Sequence, residues 1–170
     1  VILLGNSLGG HIALLFSKFH PKKVKGLIIT GSSGLYENAM GDGYPKRGDY
    51  DYIKTKSEEV FYDSKVATKE IVDEVFETVN DRKKLVKILT IAKSAIRHNM
   101  SKDLPKIKIP TAIIWGENDI VTPPEVGHDF NRLLPNSTLF WIKECGHAPM
   151  MEHPNQFNVH VEKWLSTNSN

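Results

Sequence analysis

Gly5-Asn6-Ser7-Leu8-Gly9-Gly10 follows the apolar run Val1-Ile2-Leu3-Leu4 and precedes His11-Ile12-Ala13-Leu14-Leu15-Phe16. No other stretch narrows the choice of folds as much as this passage from strand to helix through G-x-S-x-G. Glycines flanking the serine let strand and helix backbones approach without Cβ clashes, and so tight a reversal holds the serine in a strained conformation at the top of a sheet. Ser7 would project its hydroxyl there. The Leu8 N–H, at the start of the helix, would point towards an oxyanion formed when Ser7 attacks a carbonyl. The pattern alone arises by chance in about one chain in twenty of this length, so a glycine-rich turn with an incidental serine is the alternative until partners are found.

The 170 residues are 40% hydrophobic and 25% charged, as in an ordinary globular domain. A net charge of +2, with Lys and Arg scattered among acidic residues, excludes a basic stripe for nucleic acid. Cys145 is the single cysteine, which excludes an internal disulfide and a cysteine-based zinc site and fits a reducing, cytoplasmic compartment. No apolar stretch reaches the length of a membrane span. There is no H-E-x-x-H, no cysteine pair and no phosphate-binding glycine loop, so neither a metal nor a cofactor is expected. The chain opens on Val1 inside an apparent buried strand, as the C-terminal part of a longer protein would, and any signal peptide would lie upstream.

A helix is expected over about 8–19, closed by His20-Pro21, and then a buried strand over Val24 to Thr30. The two strands and the helix make a βαβ unit, with Gly31-Ser32-Ser33-Gly34 as the loop at its C-terminal edge. From residue 35 to 104 the character changes. Gly41 to Asp49 is a loop by composition, and Tyr50-Asp51-Tyr52 follows. Ile71, Val72, Val75, Phe76 and Val79 then recur at helical spacing, as do Leu85, Ile88, Leu89, Ala92 and Ile96. No strand pattern interrupts them, and so many residues exceed what a crossover needs, which points to a helical cap inserted between core segments 1–34 and 105–170. Strands are expected at 111–115 and 138–142, with helices over about 124–134 and from about Pro154. The class is α/β, a mostly parallel sheet with flanking helices.

A serine hydroxyl needs a base within reach, itself oriented by a carboxylate. Asp119 lies just beyond strand 111–115 and His147 just beyond strand 138–142, so both fall in loops at the same sheet edge as Ser7. Of seven histidines, His147 alone occupies a glycine-flanked loop after a strand. Asp119 has a competing reading as a turn or cap aspartate before Pro123-Pro124. Glu117 and Asp129 are weaker placements.

The order Ser, Asp, His within G-N-S-L-G-G, W-G-E-N-D-I-V-T-P-P and G-H-A-P-M-M-E-H-P resembles the α/β-hydrolase family over the whole chain. The resemblance implies an eight-stranded, mostly parallel sheet with a helical lid after the sixth strand. It also implies Ser7, Asp119 and His147 as nucleophile, acid and base. By the same comparison Val1 falls in the fifth strand, so four strands and a second oxyanion donor would precede it. The segment alone, with an unpaired apolar edge, is expected to be inactive. Ser7 at the elbow argues against dehalogenases and epoxide hydrolases of the fold, which use aspartate there. Ring-cleavage carbon–carbon hydrolases share G-N-S with a glycine pair and resemble the Gly31 to Leu35 loop, but usually carry an aromatic residue where this chain has Ala148. The favoured expectation is therefore an esterase acting on a small-molecule substrate. Asn6, Val121 and Ala148 would line its pocket, and Tyr36, Tyr44, Tyr50, Phe61 and Phe76 would supply an apolar cover. A carbon–carbon hydrolase and a non-catalytic ligand-binding protein of the fold are the alternatives. Oligomeric state is not legible in the sequence.

Overall fold

A computed structural model describes residues 1–38 and 46–168. Four parallel strands, β1 (Ile2–Asn6), β2 (Gly26–Thr30), β3 (Thr111–Gly116) and β4 (Ser137–Ile142), lie side by side in sequence order. Their register is continuous: Leu4 faces Ile28, Ile28 faces Ala112, and Ala112 faces Thr138. Because the sheet is covered on both faces, β2 and β3 are buried at every position and read as unbroken apolar runs. β1 forms an outer edge, with Ile2 and Leu4 exposed.

Alternate side chains feed two cores. Leu27, Ile29, Ile113 and Trp115 pack on one face with Leu14 of α1 (Leu8–Phe19) and Phe130 of α5 (Pro124–Leu133). Ile28, Ala112, Ile114 and Ile142 pack on the other with Phe157 and Trp164 of α7 (Pro154–Asn168). The join between β1 and α1 depends on Gly5, where a Cβ would come within 2.3 Å of the Gly9 backbone.

Among the described residues, the region between β2 and β3 carries three α-helices and no strand. They are α2 (Tyr50–Glu58), α3 (Lys69–Asn80) and α4 (Arg82–Arg97). The periodicities read at 71–79 and 85–96 correspond to α3 and α4. Asp81 caps α4, its carboxylate accepting from the N–H groups of Lys83 and Lys84, which holds its pKa below the usual value. Helix α2 gave no apolar stripe because only Ile53 and Ser57 are buried in it. Its start is set instead by Asp49, whose side chain accepts from the Tyr52 N–H. The loop expected from Gly41 lies largely outside the described residues.

At its far end the helical region meets α1 through two histidines. His11 Nε2 and His98 Nδ1 are 3.0 Å apart and the rings stack at 5.3 Å. Burial, and secondly the neighbouring His98, lowers the pKa of His11.

Two measurements test this architecture in the intact protein. Ile113→Ala, at the centre of β3 and fully buried, should lower unfolding free energy by about 2–5 kcal/mol in urea titrations. His11 is protonated more readily unfolded than folded, so its contribution is present above the unfolded pKa of about 6.5 and is lost as pH falls below it. The urea midpoint should therefore drop on acidification through that value, and drop less in His11→Phe.

Candidate active site

Parallel strands in register bring four C-terminal ends to one edge, and the turns that follow β1, β2, β3 and β4 carry Ser7, Gly31, Asp119 and His147. Ser7 takes φ 53° and ψ −120°, a conformation costly for a residue with a side chain. It is held from both sides, its N–H donating to Thr30 O and its carbonyl accepting from Ser33 N–H. A serine at a helix N-cap ordinarily turns its hydroxyl onto the helix N–H groups, but Ser7 makes no such bond. Leu8 is the first residue of α1, so its N–H has no acceptor within the helix.

Asp119 is 2% exposed and its carboxylate is fully partnered. Oδ1 accepts from the N–H groups of Val121 and Thr122, both at 2.9 Å. Oδ2 accepts from Thr122 Oγ1 at 2.8 Å and from His147 Nδ1, also at 2.8 Å. Since a carboxylate only accepts, the proton of this contact belongs to Nδ1, which leaves Nε2 as the basic nitrogen of the ring. Of the competing readings of Asp119, the cap of α5 does not describe its bonds, because Pro123 occupies the N-cap, whereas the turn aspartate does, through Oδ1 and the Val121 and Thr122 N–H groups.

The His147 main chain is fixed as tightly as its ring. Its N–H donates to Val60 O at 2.9 Å, and its carbonyl accepts from Asn6 Nδ2 at 3.0 Å. Asn6 Nδ2 also donates to Thr30 O, so this side chain braces the edge rather than standing free in a pocket. Gly31, at φ 48°, leaves room for the imidazole: a Cβ there would lie 2.8 Å from Nδ1. Among the described residues no hydrogen bond joins Ser7 Oγ to His147.

Val121 and Ala148 are both buried, at the bend after Asp119 and immediately after His147. Phe61 and Tyr62 face Asp119 and Ile120 across an open cleft of about 540 Å³. The other aromatics named as a cover divide. Tyr50 donates to Asp73 Oδ1 and packs edge-on against Phe76, within the helical region itself. Tyr36 is exposed beside Ile96 in a smaller cleft, and Tyr44 lies outside the described residues. The sequence places Gly31 in the loop after β2 and Thr122 in the W-G-E-N-D-I-V-T-P-P stretch without giving either a role at the site, and Val60 leaves no trace there.

A model of the alpha/beta hydrolase fold matches residues 1–154. The chain belongs to the alpha/beta hydrolase fold family. Its sequence is 55% identical to MGS-MChE2, an alpha/beta hydrolase enzyme from the metagenome of sediments of the lagoon of Mar Chica, Morocco. That crystal structure superimposes with a TM-score of 0.75, covering 100% of this chain and 63% of that one. Among curated relatives, a 2-hydroxy-6-oxononadienedioate/2-hydroxy-6-oxononatrienedioate hydrolase of Burkholderia vietnamiensis is 28% identical over 96% of this chain and 61% of its own. Lipase 1 of Psychrobacter immobilis is 28% identical over 87% of this chain and 50% of its own. This hydrolase-fold chain thus spans about half to three-fifths of the length of these curated relatives. No helix among its described residues is long and apolar enough to cross a membrane.

Gly31→Ala isolates the packing of the imidazole. The added Cβ would displace the ring from Asp119, and the downfield proton resonance of the Nδ1–H to carboxylate bond should vanish from the NMR spectrum of the intact protein. Persistence of that resonance would show that the ring has room to spare.

Proposed function

We propose that this hydrolase is a serine esterase, cleaving carboxylic esters of small or medium lipophilic acyl groups with Ser7 as nucleophile, His147 as base and Asp119 as its orienting acid. The observation that carries the reading is the buried 2.8 Å contact of His147 with Asp119, at the same sheet edge as a serine with positive φ and an uncapped hydroxyl. In this mechanism Nε2 of His147 takes the Ser7 proton as Oγ attacks the ester carbonyl. Leu8 N–H, aligned with the N-terminal end of α1, stabilises the oxyanion. The imidazolium returns its proton to the leaving alcohol, and Asp119 stabilises that cation while it lasts. Water then attacks the acyl-enzyme by the same route. Helices α2 to α4, within residues 35–104, serve as a cap whose Phe61 faces the acid loop, and Val121 and Ala148 line the acyl side.

A second reading is carbon–carbon hydrolysis of a ring-cleavage dienoate, favoured by the name of the Burkholderia relative. Both readings use the same three residues. They part at the position after the histidine, where Ala148 leaves an acyl group more room than an aromatic side chain would.

The test follows hydrolysis of p-nitrophenyl esters of increasing acyl length beside a ring-cleavage dienoate, in the intact protein. Ser7→Ala should lower ester turnover by about a million-fold, and Asp119→Asn by about ten-thousand-fold. Retention of parent turnover by Ser7→Ala would overturn the proposal. Dienoate turnover with little ester activity would replace it by the second reading, and silence on both by ligand binding alone.

A further inference from the structure

Segment 59–62 of the helical region lies directly on the histidine loop, backbone against backbone. A Cβ at Gly146 would come within 2.6 Å of Val60 O and 2.9 Å of Tyr62 N. Backbones this close pair their facing donors and acceptors directly. The His147 N–H finds Val60 O at 2.9 Å. The N–H groups of Gly146 and Tyr62 find no backbone acceptor among the described residues. Both are taken by one side chain: Glu152 Oε1 accepts from Gly146 and Oε2 from Tyr62, each at 2.7 Å.

Glu152 reaches the seam from the end of α6 (Pro149–Glu152), the short helix that opens just after His147. Its two oxygens match the two donors in a way no neutral isostere does. An amide supplies one acceptor and would turn its own N–H groups towards the second donor. The buried thiol of Cys145 sits 3.7 Å from Oε1. Burial, and secondly the charge of Glu152, push its pKa up, so the thiol stays protonated and offers a further weak donor.

We infer that Glu152 is a positioning residue for His147, an inference that rests on the reading of His147 as the base. The carboxylate fixes segment 59–62 on the histidine loop, and the Val60 carbonyl carried by that segment fixes the His147 main chain. The Nε2 position relative to Ser7 is therefore set partly by the helical region, through a side chain that touches neither reacting group. Placement of a base to within an ångström is worth up to about a hundred-fold in rate, which is the scale on which Glu152 acts.

The experiment measures labelling of the intact protein by a fluorophosphonate, separating the rate constant from the final fraction labelled. Glu152→Gln should label about ten-fold more slowly and Glu152→Ala about a hundred-fold more slowly, with the labelled fraction close to one per chain in both. A role in folding alone would lower the fraction and leave the rate constant of the folded molecules unchanged, and that result overturns the inference. So do rate constants within two-fold of the parent. Gly146→Ala, which forces segment 59–62 away from the loop by a different route, should reproduce the slow rate and add little to Glu152→Ala. Undiminished labelling of Ser7→Ala would instead strike at the proposed nucleophile.

Discussion

Parallel pairing in continuous register is the constraint on which the site depends. Asn6, Thr30, Ile114 and Phe140 stand at one level across the sheet, so the turns after them open on the same side. Residues more than a hundred positions apart then meet without any chain having to travel. The pairing holds because both faces of β2 and β3 are buried, and a slip of one residue would exchange the Ile113 and Ile114 faces and empty both cores at once. The fold therefore holds the turns carrying Ser7, Asp119 and His147 at one edge with the same interactions that stabilise the chain.

Within that frame the candidate site is held largely by side chains bonded to main-chain groups. The His147 N–H meets the Val60 carbonyl directly, while the side chains of Asn6, Asp119 and Glu152 pair main-chain groups of His147, Val121, Thr122, Gly146 and Tyr62. Such an arrangement is stiff, because Asn6 Nδ2 and both Asp119 oxygens each hold two partners at short range. It also ties the helical region to the sheet edge at the histidine.

This division explains what could be read from the sequence. Strands and long helices announced themselves through apolar runs and helical periodicity, and Ser7, Asp119 and His147 through their place at strand ends. Helix α2 stayed hidden because Ile53 is its one buried apolar residue. Asn6 read as a pocket residue because its neighbours in sequence do not disclose that its amide reaches Thr30 and His147. The Val60 carbonyl could not be found at all, since a main-chain acceptor carries no residue type. Tyr50 read as part of a lipophilic cover, but its hydroxyl binds Asp73 across two helices, a pairing that depends on tertiary placement.

Ser7 carries a cost in folding. Its φ of 53° belongs to a region that glycine enters freely and that an L side chain enters at a cost of roughly 1–2 kcal/mol. Its hydroxyl forgoes the cap that would recover part of that cost. Selection for thermal endurance alone would place glycine at this turn. A serine there sets chemistry and endurance against each other at a single atom, and the surrounding sheet must hold enough surplus stability to keep the elbow closed.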